Sequence, residues 1–351
     1  MAKNSPMSMK KIAELAGVSS ATVSYVINGR DKVSPQTRER VLKIIEENHY
    51  QPSNIAKSLR KKSTKTIGIV VEDIRGFSVP EVINGISEYA EENGYQILLY
   101  DLRILEKIYN QYAHIVDYKD KINKAISFLT ESAMVDTVIF VAMFDRDITG
   151  IIEDNRRPVV FAYCTSEDEN RHCVSYDNFQ GGYMAMLQLL EAGHRKIGII
   201  GGLEGSSPCQ QRLEGVQKAF MEYHLSFDSS YVQFGKWDYL SGIDISKNLL
   251  DSHPDITALF CMNDIMAAGA YQTIYQQGKK IPQGISLMGF DDRDVASFLY
   301  PPLSTIKINL KEIGLVAAEI ALENLHNPNM NYQKNIIANH LMKRHSIQTI
   351  N

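Results

Sequence analysis

Cysteine is scarce in this chain: four residues, at positions 164, 173, 209 and 261, with no Cys-x-x-Cys pair among them. Reduced, structural thiols in the cytoplasm are therefore expected. The nine histidines do not gather at metal-ligand spacing, so no metal or other cofactor is expected. No Gly-x-x-x-x-Gly-Lys-Ser/Thr phosphate loop, Gly-x-Ser-x-Gly elbow or His-Glu-x-x-His pair occurs, so no catalytic residues are assigned and no enzyme is expected. Gly201-Gly202-Leu203-Glu204-Gly205 is glycine-rich but lacks the spacing of a dinucleotide fingerprint, and reads as a turn. No apolar run is long enough to span a membrane, and none opens the chain behind a basic start. Neither a membrane partner nor a secretory signal is expected. At 351 residues and 44% hydrophobic, the chain exceeds a single typical domain and is globular rather than disordered.

What is present is concentrated at residues 8–30, SMKKIAELAGVSSATVSYVINGR. Ile12, Ala13, Leu15 and Ala16 form one apolar stripe at helical spacing, and Val23, Val26 and Ile27 form another. Gly17 supplies the turn between them, and Ser19 caps the second helix. That helix is then expected to show Ser20, Ala21, Ser24, Tyr25 and Asn28 outward, a set suited to base edges in a major groove. An ordinary helical hairpin has the same spacing. Ser34-Pro35 starts a third helix with Val41, Leu42, Ile44 and Ile45 on its apolar side, ending near Asn48–Tyr50.

Charge is segregated. The first 63 residues carry twelve basic and five acidic side chains, a net of +7, while the remainder is −11. A basic helical end on an acidic body suggests a polyanionic partner, although a merely solvated basic face would have the same composition.

These segments, Ala13–Gly29, Val33–Val41 and Tyr50–Arg60, resemble the lac-repressor (LacI/GalR) family of bacterial transcription regulators. The similarity continues through Asp177-Asn178 with Gly181-Gly182, Gly193–Ile197, Arg212-Leu213-Glu214-Gly215, Asn263-Asp264, Gly289–Asp292 and Pro302–Ile306, so it covers nearly the whole chain.

The body reads as two α/β series. Strands are expected at Thr66–Val71, Ile97–Tyr100, Val138–Ala142 and Val159–Ala162, with a helix over Val82–Tyr89. A second series follows at Ile197–Ile200, Val232–Phe234, Ala258–Cys261 and Ile285–Met288. Alternation with helices implies parallel sheets, with ligand at the carboxyl ends of the strands in the crevice between lobes.

The resemblance implies a three-helix DNA-binding domain (1–51), a hinge helix (52–63) and a two-lobed, periplasmic-binding-protein-like effector and dimerisation domain (64–351). The lobes would be discontinuous, about 64–170 with 309–334 and about 171–308 with 335–351, joined by crossings near 163–177, 290–309 and 330–338. Palindromic operator DNA and a small-molecule effector are the implied partners. A homodimer is expected, because no leucine heptads follow Lys343–Ser346.

By the same resemblance Ser8 stands near phosphate, Ser20, Ala21 and Tyr25 occupy the positions that select bases, and Asn28 makes a further contact near the helix end; Ser19, Thr22 and Ser24 are further DNA-binding candidates. Most family members have Arg where Tyr25 stands, so a different half-site is expected at that base pair. In the hinge, Asn54, Ala56, Lys57, Leu59 and Arg60 are the DNA candidates, with Leu59 as a wedge that kinks the duplex.

Arg212 and Asp291 match ligand-binding positions of the family, Asn263 stands at another strand end with an amide that can both donate and accept, and Trp237 offers a flat face on which a sugar ring can stack. Two departures fall on the first lobe. Gly76-Phe77-Ser78-Val79 replaces the frequent Asn-Pro-Phe-Phe, and Tyr163 stands where many members have Asp. Phe77, Ser78 and Tyr163 are the candidates for that face. Residues 103–120, with Tyr109, Tyr112 and Tyr118, are longer and more aromatic than the family usually shows, and read as a surface insertion, with an extra helix near the cleft mouth as the alternative. The expected function is a regulator, in the repressor sense, controlled by a sugar or sugar derivative. A purine, nucleoside or protein co-effector is the alternative, and a pure sugar-binding receptor the more distant one.

Overall fold

A computed structural model describes residues 7–50, 63–105, 116–153, 158–168, 171–328, 330–332 and 334–350. The chain divides after Thr64 into two compact units.

In the first unit, helix α1 (Met9–Ala16) starts at Ser8, whose hydroxyl oxygen accepts from the Lys11 N–H at 3.2 Å. It ends at Gly17, held at φ 61°, ψ 37°, a conformation that carries no penalty for glycine. Helix α2 (Ser20–Ile27) is capped by Ser19, and α3 (Pro35–Glu47) by Ser34 with Pro35 in its first turn. Ile12, Ala13, Ala16, Val23, Val26, Val41 and Tyr50 close a small core. Leu15 and Leu42, expected on the apolar sides, are 50% and 48% exposed instead. From α3, Val41 is buried in this core, and Ile44 and Ile45 pack against it half-buried.

The second unit holds two doubly wound sheets. The first contains β1 (Thr66–Val71), β2 (Gln96–Asp101), β3 (Thr137–Val141), β4 (Val159–Ala162) and β5 (His172–Tyr176). Between them run α4 (Val79–Glu92) and α5 (Lys119–Ser127). The second sheet follows α6 (Asn178–Glu191) and contains β6 (Ile197–Gly201), β7 (Val232–Phe234), β8 (Ala258–Cys261), β9 (Ser286–Asp291) and β10 (Ser304–Lys307). Its connecting helices are α7 (Ser207–Glu222), α8 (Tyr239–Ser252), α9 (Asp264–Gln276) and the short α10 (Asp294–Phe298). Helix α11 (Leu310–His326) returns to the first lobe, β11 (Lys334–Ile337) joins the first sheet and β12 (His340–Met342) the second.

The strand orders are β11-β5-β4-β3-β1-β2 and β12-β10-β9-β8-β6-β7. Every pairing is parallel except β10–β12. The strands buried on both faces are apolar runs such as Thr137–Val141 and Ala258–Cys261, as parallel sheets require.

The lobe limits differ from the sequence expectation in two places. His172–Tyr176 pairs in parallel with β4, so the first lobe continues to 176 rather than 170. Lys334–Ile337 pairs in parallel with β5, so most of that segment lies in the first sheet rather than the second lobe. Both strands are broken by polar residues (His172, Ser175, Lys334, Asn335), which hides them in the sequence. The chain thus crosses between lobes at residue 177, at 308–309 and at 338–339.

Three helix pairs are packed through glycines. A Cβ on Gly85 of α4 would lie 2.0 Å from the Lys311 carbonyl oxygen of α11, and one on Gly314 would lie 2.0 Å from that of Val82. Gly242 and Gly269 join α8 to α9 in the same way. In the third pair, a Cβ on Gly182 of α6 would lie 2.2 Å from the Arg212 carbonyl oxygen of α7, and one on Gly215 would lie 2.0 Å from that of Phe179. Backbone cannot yield as a side chain can, so a larger residue must part the helices. Gly182→Ala should cost about 1–3 kcal/mol of stability, read by urea unfolding. An unchanged midpoint would mean that α6 and α7 can separate freely.

Candidate functional site

In doubly wound sheets the strand order reverses at one point, and the crevice opens at the carboxyl ends of the strands there. The reversals here lie between β1 and β3 in one lobe and between β6 and β8 in the other. The loops that follow these strands carry Arg75, Gly76, Phe77, Phe144 and Asp145 from the first lobe, and Ser206 and Asn263 from the second. With Tyr163, Tyr176, Arg212, Lys236, Trp237, Asp291 and Arg293 they line a cavity of about 240 Å³.

Arg212 is its buried centre, 3% exposed. Its Nε donates to Asn178 Oδ1 at 2.9 Å and its Nη2 to the Tyr176 hydroxyl at 2.9 Å, while Nη1 donates to the Met262 carbonyl. Asp291 Oδ1 stands 3.8 Å from Nη2. The guanidinium lies 3.6 Å from the Phe290 ring centroid and 5.4 Å from that of Trp237. A guanidinium so fixed keeps one further N–H on each of Nη1 and Nη2.

Asp145 faces it from the first lobe. Its carboxylate accepts from the Ser175 hydroxyl at 2.9 Å and the Asn178 amide at 2.6 Å. Burial nevertheless pushes its pKa up to about 6, against the pull of those two bonds and of Arg212 and Arg146. The loop that bears it is pinned by a buried ion pair between Arg146 and Glu72, whose other oxygen accepts from the Met143 N–H at 2.9 Å. Asp291 is likewise raised by burial, with Arg212 and Arg293 opposing. It sits at the end of β9 with φ 107°, a strained value for a non-glycine residue at the cavity wall. Burial, then the charge of Asp291, holds Asp264 well above the usual carboxylate range, where it accepts from the Thr305 hydroxyl and the Arg293 N–H, both at 2.7 Å.

Aromatic rings form the walls. Tyr163 stacks on Tyr176 at 5.5 Å and meets Phe77 edge-on at 6.3 Å. A Cβ on Gly202 would lie 1.9 Å from the Trp237 ring, so this glycine lets the indole pack against the end of β6.

The structure brings together Arg212, Trp237, Asn263, Asp291, Tyr163 and Phe77, six of the seven residues expected at the effector site. Ser78 is the exception. It is fully buried and its hydroxyl donates to the Met143 carbonyl at 3.3 Å, because the chain turns there into the first turn of α4. Asn263 lines the cavity but spends much of its amide locally. It caps α9 through the Met266 N–H at 2.7 Å and donates to the Trp237 carbonyl at 3.0 Å. Asp145, Tyr176 and Arg293 were not expected. Asp145 could have been found as the acid following an apolar strand on the switch-point side. Leu105 also lines the cavity, so the start of the 103–120 segment belongs to the cleft wall and is not simply a surface insertion. Tyr109 and Tyr112 lie outside the described residues, and Tyr118 ends the turn before α5.

On the DNA side, Ser20 and Ala21 are exposed on α2, and Tyr25 is half-buried with Arg30 5.9 Å over its ring. Ser8 and Ser19 are exposed caps, and the Thr22 side chain bonds Ser19 at 2.9 Å. Ser24, expected outward, is 9% exposed. Its carbonyl accepts from the Asn28 amide at 2.7 Å, so Asn28 closes the helix end rather than projecting freely. Asn54, Ala56, Lys57, Leu59 and Arg60 lie outside the described residues.

A capped helix-turn-helix unit and a two-lobed α/β core with a cleft at its strand ends define a DNA-binding regulator of the periplasmic-binding type. The model of bacterial regulatory proteins of the lacI family matches residues 8–53, and that of the periplasmic binding protein-like domain matches residues 186–347. The chain is 35% identical over 345 residues to the ribose operon repressor of Haemophilus influenzae, covering 97% of this chain and 99% of that one. It is 30% identical to the transcriptional repressor PurR of Photobacterium profundum, covering 98% and 99%. The lac repressor dimer bound to operator and the anti-inducer ONPF superposes with a TM-score of 0.80 at 22% identity, covering 98% of this chain and all of that one. The chain belongs to the lacI family of bacterial regulatory proteins. It is a transcriptional regulator and not an enzyme.

The raised pKa of Asp145 has a measurable sign. Between about pH 4 and 6 the unfolded chain has lost this proton and the folded chain holds it, so the carboxyl's contribution to stability declines as pH rises, by up to about 3 kcal/mol. Wild-type stability relative to Asp145→Asn, read by urea unfolding, should fall across that window. A flat difference would show that the carboxyl is ionised in the folded protein.

Proposed function

We propose that this regulator is a repressor whose operator binding is set by a sugar or sugar derivative held in the inter-lobe cavity. The observation that carries this reading is the placement of Asp145 and Asp291, from opposite lobes, beside the buried fork of Arg212. Ionised carboxylates accept from adjacent hydroxyls and the fork donates to others, a set that recognises a polyol. Trp237 and Phe77 supply apolar ring faces. About 240 Å³ falls below the roughly 300–1,000 Å³ of drug-sized sites, which suits a monosaccharide. The ribose operon repressor among the relatives points the same way. A purine base is the second reading, supported by the Phe77, Tyr163 and Trp237 rings and by the PurR relatives.

The domain scheme proposed is a DNA-binding domain over 1–51, a hinge over 52–63 and an effector domain from 64 onward. DNA contacts are assigned to Ser8, Ser19, Ser20, Ala21, Thr22 and Tyr25, and to Asn54, Ala56, Lys57, Leu59 and Arg60 of the hinge. The exposed edge strand β2, with Ile97, Leu98 and Leu99 each more than a third exposed, supports a homodimer, whose two-fold symmetry would fit a palindromic operator; a cytoplasmic location is part of the same proposal. Ligand shifts DNA affinity by favouring one arrangement of the lobes over another.

D-ribose or a hexose should raise the melting temperature with the logarithm of its concentration above saturation, and Asp291→Asn should remove that shift. A shift with adenine or guanine and none with any sugar would replace this reading by the second. Tyr25→Arg should change the preferred base at one position of each half-site, a discrimination of about 1–3 kcal/mol per base pair, in a randomised-operator selection. An unchanged preference would remove Tyr25 from base reading.

A further inference from the structure

The polyol grip leaves two cations unused. Lys236 and Arg293 line the same cavity, yet among the described residues neither has a hydrogen bond or ion pair at its charged end. Arg293 is half-buried, with its guanidinium 4.6 Å over the Phe77 ring; it acts on Asp291 through its charge but forms no ion pair with it. Lys236 is exposed on the neighbouring turn after β7. Arg75 is a third cation on the lining, but Asp73 already engages it through both oxygens, at 2.9 Å each.

Formal charge shows the imbalance. Leaving out Arg75, which Asp73 neutralises, the lining carries Arg212, Lys236 and Arg293 against Asp145 and Asp291. This excess of positive charge sits within residues 64–351, whose net charge is −11. A neutral sugar would satisfy the carboxylates and Arg212 and give the charged ends of Lys236 and Arg293 no anionic partner. The start of the sixteen-residue helix α7 lies on the same wall, at Ser206 and Pro208. Its Ser206 hydroxyl donates to the Leu203 carbonyl at 2.7 Å and does not cap the helix. The field of that helix end adds to the same sign.

We propose that the effector is the phosphate monoester of a monosaccharide, with its ring hydroxyls on Asp145, Asp291 and Arg212 and its phosphate on Lys236 and Arg293. This rests on the sugar reading above and narrows it. Charge-assisted bonds to a phosphate supply the partners that the two cations lack, and the arginine can meet the anion with two N–H groups.

Isothermal titration of the full chain with D-ribose, D-ribose 5-phosphate, D-glucose, D-glucose 6-phosphate and inorganic phosphate tests it. At least one ester should bind about tenfold or more tightly than its parent sugar, as a charged hydrogen bond implies. The Lys236→Gln, Arg293→Gln double variant should bring that ratio to near one. The ester's affinity in the wild-type protein should also fall with added salt while the parent's does not, a readout that needs no variant. Parents binding as tightly as their esters would overturn this inference and leave the sugar reading standing. An ester preference that survives the double variant would overturn the assignment to these two residues. If neither parent nor ester binds, the sugar reading fails and this one with it.

Discussion

A guanidinium taken out of water must find partners for its charge and its N–H groups, and the core of this regulator is arranged around that requirement at Arg212. A buried cation left unpaired is destabilising by several kcal/mol, so its partners are as fixed as it is. They come from three directions: Tyr176 and Asn178 on either side of the first crossing, the carbonyl of Met262 at the end of β8, and Asp291 at the end of β9. Asn178 in turn donates to Asp145 of the first lobe. One charge therefore connects both lobes through a crossing segment, and anything that binds Asp145 and Asp291 acts on that connection.

The glycine pairs serve the same end. Because Gly182 and Gly215 allow α6 and α7 to touch backbone to backbone, Arg212 on one helix reaches Asn178 at the start of the other. The paired glycines of α4 with α11, and of α8 with α9, hold the other layers at similarly close range. Rigid lobes with a few connecting strands have their freedom at the crossings, which is where a ligand between them has leverage.

Much of this is legible in the sequence, and the exceptions have physical causes. Arg212 and Asp291 stand in short motifs, Arg212–Gly215 and Gly289–Asp292, and the glycine of the first is also what packs α7 against α6. Most of the eight strands expected are short, mainly apolar runs, and the central ones, such as Val138–Val141 and Ala258–Cys261, are buried on both faces. His172–Tyr176 and Lys334–Ile337 escaped because each mixes polar residues into a short strand. Asp145 escaped because its partners lie 30 and 33 residues away, on another strand and another helix. Ser78 misled by adjacency: Phe77 faces the cavity, and one residue later the chain has turned into the core. On α2, Ser24 was expected outward from helical spacing, but the cap formed by Asn28 folds over it.

The cavity's lining comes from the ends of nine successive strands, spread between Arg75 and Arg293. No continuous stretch of the gene encodes it. Exchanging one block of sequence with a relative would therefore transplant only part of a recognition surface and set it against a mismatched remainder. Divergence of ligand choice in such a scaffold has to proceed by scattered single changes, each tolerated by the lobes before the next arrives. The DNA-reading helix, a run of eight residues, has no such constraint, so the two specificities of one regulator can drift at different speeds.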